Sequence, residues 1–190
     1  MKQSKAIVFD IDGVLADFEY SFCEKFGNEH RDYTNLTERY PEQAELADEF
    51  VSSPYTYSDL EPIFGGWVLL NQARDRGYKI ILMTSRPLGT RVITEQWLKQ
   101  YNTYYDDLFF TKDKAEAIRT MNSRGRSKIV ALIDDLPVNF EKLPKGVSGI
   151  SWEQPWNSDY YPKARYLIST MQVEIKLDTV SPWVNFWTGK

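Results

Sequence analysis

Apolar and polar positions along the chain follow a strand–helix rhythm. Ala6-Ile7-Val8-Phe9 is an unbroken apolar run that ends at Asp10-Ile11-Asp12-Gly13, the pattern of a buried strand stopped by a turn. Phe18, Phe22 and Phe26 fall four apart within residues 16–26, which predicts one apolar helix face, and Gly27 suits that helix's end. Residues 62–76 fit a helix with proline in its first turn and Gly77 beyond it. Tyr78 to Met83 fit a second buried strand, ending at Thr84-Ser85-Arg86-Pro87. Helices are predicted over 90–100 and 113–122, and a short strand over 107–111. A strong strand over 129–133 ends at Asp134-Asp135, and a last one lies near 147–151. Residues 28–60 break the rhythm: they are polar, tyrosine-rich, and interrupted by Pro41 and Pro54, with one helical stretch around 42–51.

Strands separated by helices predict a parallel sheet covered on both faces, a three-layer α/β/α Rossmann-like fold of the α/β class. The expected core comprises residues 1–27 and 61–190, with 28–60 a small helical cap inserted after the first strand. Ligands of such sheets bind beyond the carboxyl ends of the strands. Three of the predicted strand ends carry unusual chemistry: Asp10/Asp12, Thr84/Ser85 and Asp134/Asp135.

Composition narrows that chemistry. The 190 residues include one cysteine and one histidine, Cys23 and His30, against 27 acidic and 23 basic side chains. One cysteine rules out an internal disulfide, and the pair cannot build a Cys/His zinc cluster. Carboxylates are what remains, and they suit an oxygen-loving metal. The net charge of −4 argues against a long nucleic-acid footprint. Apolar runs such as Ile80 to Met83 fall far short of a membrane span, and residues 1–5 open no apolar stretch of signal-peptide length. The expectation is a cytoplasmic protein with no membrane partner.

Asp10 and Asp12, brought together by a turn at Gly13, would with Asp134 or Asp135 make an all-oxygen site suited to Mg²⁺. The Asp10 carboxylate could then attack phosphorus, with Asp12 as general acid and base. Aspartates also end strands and cap turns, which is the structural alternative. Thr84 and Ser85 could hold phosphate oxygens or simply cap the next helix. Lys112 and Lys114 flank Asp113, and either could neutralise a phosphoryl group. Two adjacent aspartates directly after five apolar residues are costly unless they meet a cation or several donors.

In this order, Asp10-Ile11-Asp12-Gly13-Val14, Thr84, Lys114 and Ile133-Asp134-Asp135 resemble the four motifs of the haloacid dehalogenase-like phosphohydrolases. The resemblance spans about residues 5–157. An aspartate two residues after the nucleophile belongs to the phosphatase branch. More narrowly, Asp10 to Phe18, Asp59-Leu60-Glu61-Pro62, Thr84-Ser85 and Thr111-Lys112-Asp113-Lys114 are similar to the 5′(3′)-deoxyribonucleotidases. That resemblance implies an Mg²⁺-dependent phosphoric monoester hydrolase working through an aspartyl-phosphate. Asp10 would be the nucleophile and Asp12 the acid/base, with Thr84, Ser85, Arg86 and Lys114 toward the substrate; Lys112 is the fallback lysine. Phe18 would pack on the base. The metal set would be Asp10, Asp12 through its carbonyl, and Asp134 or Asp135. Asp12 would have to be protonated to act as an acid. Its free pKa is about 3.9, so its site would have to raise it.

Two departures bear on substrate. Arg86 stands where the deoxyribonucleotidases often have proline, and no basic residue stands four after Thr84. The implied substrate is a (deoxy)nucleoside monophosphate. The alternatives are the 3′-phosphate of a polynucleotide end, because Arg86 and Thr90-Arg91 resemble what the 3′-phosphatase domains of polynucleotide kinases carry after their second motif, another small phosphorylated metabolite, or a catalytically silent nucleotide-binding module. Tyr33, Tyr40, Tyr55 and Tyr57 offer stacking surface in the insert. Trp152 to Asn157 would border the site, with the tryptophans mainly packing. An exposed core face leaves room for a homodimer.

Overall fold

The structure, a computed structural model, describes residues 4–27, 40–125, 127–154 and 156–157. Among the described residues, five strands form one sheet: β1 (Lys5–Phe9), β2 (Lys79–Thr84), β3 (Asp107–Phe110), β4 (Lys128–Asp134) and β5 (Ser148–Ser151). All neighbours pair in parallel, in the order β3-β2-β1-β4-β5. Helices α1 (Phe18–Phe26), α2 (Ala44–Ser52), α3 (Phe64–Asp75), α4 (Arg91–Gln100) and α5 (Lys114–Ser123) account for the helical stretches expected from the sequence.

Alternate strand residues feed two cores. Ile7, Phe9, Ile80, Leu82, Ala131 and Ile133 face one way, onto Leu70 and Ala73 of α3 and Trp97 and Leu98 of α4. Ala6, Val8, Ile81, Met83 and Leu132 face the other, with Ile118 of α5, and Phe140 and Leu143 pack against them. This doubly covered sheet explains the continuous apolar runs of β1, β2 and β4. It is the expected three-layer α/β architecture.

Helix boundaries depart slightly from the periodicity, for local reasons. α1 begins at Phe18 because Asp17 is its N-cap, its carboxylate accepting the Tyr20 N–H at 3.0 Å. α3 begins at Phe64, not Pro62, because the Ile63 N–H donates to the Leu15 carbonyl at 2.8 Å.

The described part of the insert, 40–60, is a 3-10 turn (Pro41–Gln43), α2, and a second turn (Pro54–Tyr57). It meets the core through aromatic rings: Phe50 and Tyr57 lie 5.8 Å from Phe18, ring centre to ring centre, and Phe50 also meets Phe22 and Phe26. Tyr57 is buried, and its hydroxyl donates to the Val51 carbonyl at 2.7 Å. The Tyr40 hydroxyl donates to the Gly27 carbonyl at 2.7 Å. Both are structural tyrosines of the insert, whereas Tyr55 is exposed. Tyr33 and His30 lie outside the described residues, as does the chain beyond Asn157.

Candidate active site

The site grows from the carboxyl ends of β1, β2 and β4. Beyond β1 the chain folds into a tight loop in which Leu15 and Ala16 N–H groups donate to the Ile11 carbonyl at 2.7 and 2.8 Å. Gly13 takes φ 76°, a conformation that favours glycine, and a Cβ there would collide with the Asp135 carboxylate. The segment before α3 and α3 itself hold the loop. Asp17 N–H donates to the Glu61 carbonyl at 2.8 Å, and the Trp67 indole donates to the Leu15 carbonyl at 2.9 Å.

Lys114 is the hub. Asp113 caps α5 by accepting the Glu116 N–H at 2.8 Å, which makes Lys114 the first helical residue. Its buried Nζ lies 2.7 Å from Asp10 Oδ2 and 2.6 Å from Asp134 Oδ2. Burial alone would lower the Lys114 pKa, but the two carboxylates outweigh it and hold the ammonium above its ordinary value. Lys112, the fallback, is exposed.

Asp10 is buried, and its Oδ1 accepts the Ile11 N–H at 2.7 Å. Burial pushes its pKa up to about 7; Lys114 opposes that rise, while Asp134 and Asp12 add to it. Asp134 is fully enclosed. It accepts from Lys114, from the Leu136 N–H at 2.9 Å, and from the Asn139 amide at 2.9 and 3.0 Å. Asp135 accepts the Trp156 indole N–H at 3.1 Å on Oδ2. Burial, then the neighbouring Asp134 and Asp10, push its pKa well above the usual carboxylate range. Asp10, Asp134 and Asp135 each offer an oxygen within 4.8 Å of the others. Three crowded, buried carboxylates, two of them on the Lys114 ammonium, gather hard oxygen donors, a setting in which a divalent cation is at home.

Asp12 belongs to a different pairing. Its carboxylate, 26% exposed, is forked by Arg86: Nε to Oδ2 at 2.8 Å and Nη2 to Oδ1 at 2.7 Å. The third Arg86 nitrogen, Nη1, donates to Thr94 Oγ1 at 3.1 Å, and the guanidinium lies 4.5 Å from the centre of the Tyr57 ring. Arg86, expected against the substrate, is buried with all three nitrogens engaged inside the protein. Asp12, expected as acid/base and as a metal ligand through its main-chain carbonyl, turns its carboxylate to this arginine.

Thr84 is fully buried, its Oγ1 accepting the Arg86 N–H at 3.2 Å, while Ser85 beside it is exposed. Phe18 is half-buried among Phe22, Phe50 and Tyr57. The sequence reading missed Thr94 and Asn139 entirely. Asn139 carried a usable signal, an amide five residues beyond Asp134 in the turn opened by Pro137; Thr94 carried none, being one hydroxyl in an ordinary helix.

Solved structures share this frame. A haloacid dehalogenase-like hydrolase from Streptococcus pneumoniae superposes with a TM-score of 0.60 at 15% identity, over 90% of this chain and 100% of that one. A dehalogenase superposes with a TM-score of 0.58 at 10% identity, over 92% and 98%. The fold is therefore the haloacid dehalogenase-like one. A family model described as "5' nucleotidase, deoxy (Pyrimidine), cytosolic type C protein" matches residues 4–166. The chain belongs to that family. The chain spans 47% and 43% of the length of two chains from Pnkp1/Rnl/Hen1 RNA repair complexes, with TM-scores of 0.49 and 0.47. No curated protein matches it. Among the described residues, no helix is long and apolar enough to cross a membrane.

Proposed function

We propose that this chain is an Mg²⁺-dependent phosphomonoesterase of nucleoside monophosphates, deoxynucleotides above all, that carries the phosphoryl group transiently on Asp10. The observation behind this reading is Lys114 set between Asp10 and Asp134, with Asp135 closing the trio, at the carboxyl end of the central strand. The nucleotidase family match supports the substrate class.

The donor set fits Mg²⁺: three buried carboxylates, each offering a hard oxygen within 4.8 Å of the others. Asp10, Asp135 and the main-chain carbonyl of Asp12 would hold the ion. Asp134, already accepting from Lys114, Leu136 and Asn139, would stand behind them as their support. Bound there, the ion supplies charge neutralisation for the phosphoryl oxygens.

The remaining work belongs to the chain. The Asp10 carboxylate attacks phosphorus, an acyl-phosphate bond forms, and the ester P–O bond breaks. Asp12 delivers the proton that the leaving nucleoside oxygen needs. Water then attacks the phosphoryl group, Asp12 takes a proton from it, and inorganic phosphate departs with Asp10 restored. Lys114 and the exposed Ser85 hydroxyl would hold phosphoryl oxygens, and Thr84 supports the same turn through the Arg86 N–H.

Residues 28–60 are read as the cap over this site, supported by the aromatic contacts of α2 and Tyr57 with α1, and Phe18 at that seam as the base-packing ring. The family's description as cytosolic supports a cytoplasmic location. The features that suggested polynucleotide 3′-ends are engaged elsewhere: Arg86 with Asp12 and Thr94, Thr90 with the Pro87 carbonyl, and Arg91 with Glu95.

The test is phosphate release from a panel of 5′- and 3′-deoxynucleoside monophosphates, ribonucleoside monophosphates, 3′-phosphorylated oligonucleotides and sugar phosphates, with and without Mg²⁺. Turnover of mononucleotides that requires Mg²⁺ is expected. Preference for oligonucleotide ends would replace the substrate assignment. Silence on the whole panel would favour a binding module.

A further inference from the structure

The segment after β5 takes no part in the chemistry above, yet it touches both loops that carry the carboxylates. Trp156 is buried and donates its indole N–H to Asp135 Oδ2 at 3.1 Å. Asn157, also buried, donates its amide to the Asp135 main-chain carbonyl and to the Trp152 carbonyl, both at 2.7 Å. Its Oδ1 accepts the Gln154 N–H at 3.0 Å. Gln154 in turn donates its side-chain amide to the Gly13 carbonyl at 2.8 Å, in the loop beyond β1. The segment is anchored at its root, where the Trp152 N–H donates to the Asp134 carbonyl at 2.8 Å.

Asp135 is thus gripped on its side chain by Trp156 and on its backbone by Asn157, while its carboxylate rests on Gly13, where no Cβ fits. The two aspartates after β4 are held in opposite ways. Asp134 takes four donor contacts across both oxygens. The Trp156 indole meets only Oδ2 of Asp135.

We propose that Trp156 is a positioning residue for the divalent ion: its indole N–H fixes Asp135 on one oxygen and orients the carboxylate to ligate through the other. The inference rests on the reading that the acidic trio holds Mg²⁺. Indole suits the task because it is a donor with no lone pair to offer, so it cannot compete for the cation. It is rigid, and its bulk shuts water out from behind the ligand. A tryptophan that merely fills space would not need its nitrogen against a carboxylate. Groups that orient a metal ligand from behind typically change metal affinity by about 10- to 100-fold when removed.

The experiment is calorimetric titration of the full chain with Mg²⁺, alongside thermal melts in chelator and in Mg²⁺. The variants are Trp156→Phe, Gln154→Ala and Asp135→Asn. Asp135→Asn should abolish binding. Trp156→Phe, which keeps a ring but lacks the donor, should bind Mg²⁺ about 10-fold more weakly. Its Mg²⁺-dependent rise in Tm should shrink beyond any change in the chelator melt, which a packing role alone would not cause. Gln154→Ala, at a half-exposed position, should weaken binding in the same direction by less. Wild-type affinity in Trp156→Phe, with binding lost in Asp135→Asn, overturns the role of Trp156 and leaves the metal site standing. Should Trp156→Phe not fold, unchanged affinity in Gln154→Ala overturns it instead. No Mg²⁺ binding by the wild-type chain overturns the metal reading and this inference together.

Discussion

The Arg86 guanidinium holds the Asp12 carboxylate with two parallel hydrogen bonds, 2.8 Å from Nε and 2.7 Å from Nη2, joining the loop beyond β2 to the loop beyond β1. A planar fork fixes the direction of a carboxylate as well as its charge, which an ammonium cannot do. Arg86→Lys should therefore keep the fold and lower kcat about 10- to 100-fold through misplacement of Asp12, with KM little changed. Steady-state kinetics on a mononucleotide check this. Unaltered kcat would remove Arg86 from any part in the reaction.

Asp10 and Asp12 should separate when each is changed to asparagine. Asp12→Asn strands a buried guanidinium. A fully buried pair would lose about 3–5 kcal/mol, and the partial exposure of Asp12 brings the expected loss to about 1–3 kcal/mol. Asp10→Asn removes one of three crowded carboxylates and leaves Lys114 paired with Asp134. It should abolish turnover yet, in chelator near pH 8, melt no lower than wild type. Both outcomes are read from denaturant or thermal melts beside an activity assay.

The two lysines of Thr111 to Lys114 should behave oppositely. Lys114→Met leaves buried carboxylates without their cation and should cost about 3–5 kcal/mol, with activity lost. Exposed Lys112→Ala should stay within about 0.5 kcal/mol of wild type and keep its activity. Equal sensitivity at both positions would contradict the hub at Lys114.

Without metal, stability should depend on pH through Asp10. Its folded pKa near 7 exceeds the ordinary 3.8, so between these values the folded state holds more protons than the unfolded one. Stability from this group is then lost as pH rises from about 4 to about 7 and is level above that. Asp135, also raised, acts in the same direction. In chelator, Tm should fall more steeply with pH for wild type than for Asp10→Asn, and the gain in Tm on adding Mg²⁺ should grow over the same range. Parallel slopes for the two proteins would contradict it.

Much of this was legible in the sequence, because the sheet is buried on both faces. A strand such as Ile129 to Ile133 must then be apolar throughout, and the first charge after it marks where the sheet meets the site. Asp10, Asp134 and Asp135 stand out that way, each at a strand end, whereas Lys114 is preferred to Lys112 only through the resemblance to the family's motif order. What escaped were the partners. Arg86 read as a substrate contact through its place just after the second motif of the resemblance. Its true partner, Asp12, lies 74 residues away, and no local pattern joins them. Trp156 read as packing because its indole N–H matters only once Asp135 is seen 3.1 Å from it.

The most direct measurement is on Asp10 itself. The enzyme is mixed with a deoxynucleoside monophosphate and Mg²⁺, quenched in acid within a turnover, digested and sequenced by mass spectrometry. The expected result is one phosphoryl group on the peptide Ala6 to Phe18, localised to Asp10 and missing in Asp10→Asn. Full turnover with Asp10 unmodified at every quench time, or with undiminished activity in Asp10→Asn, would contradict a phosphoryl group carried on that carboxylate.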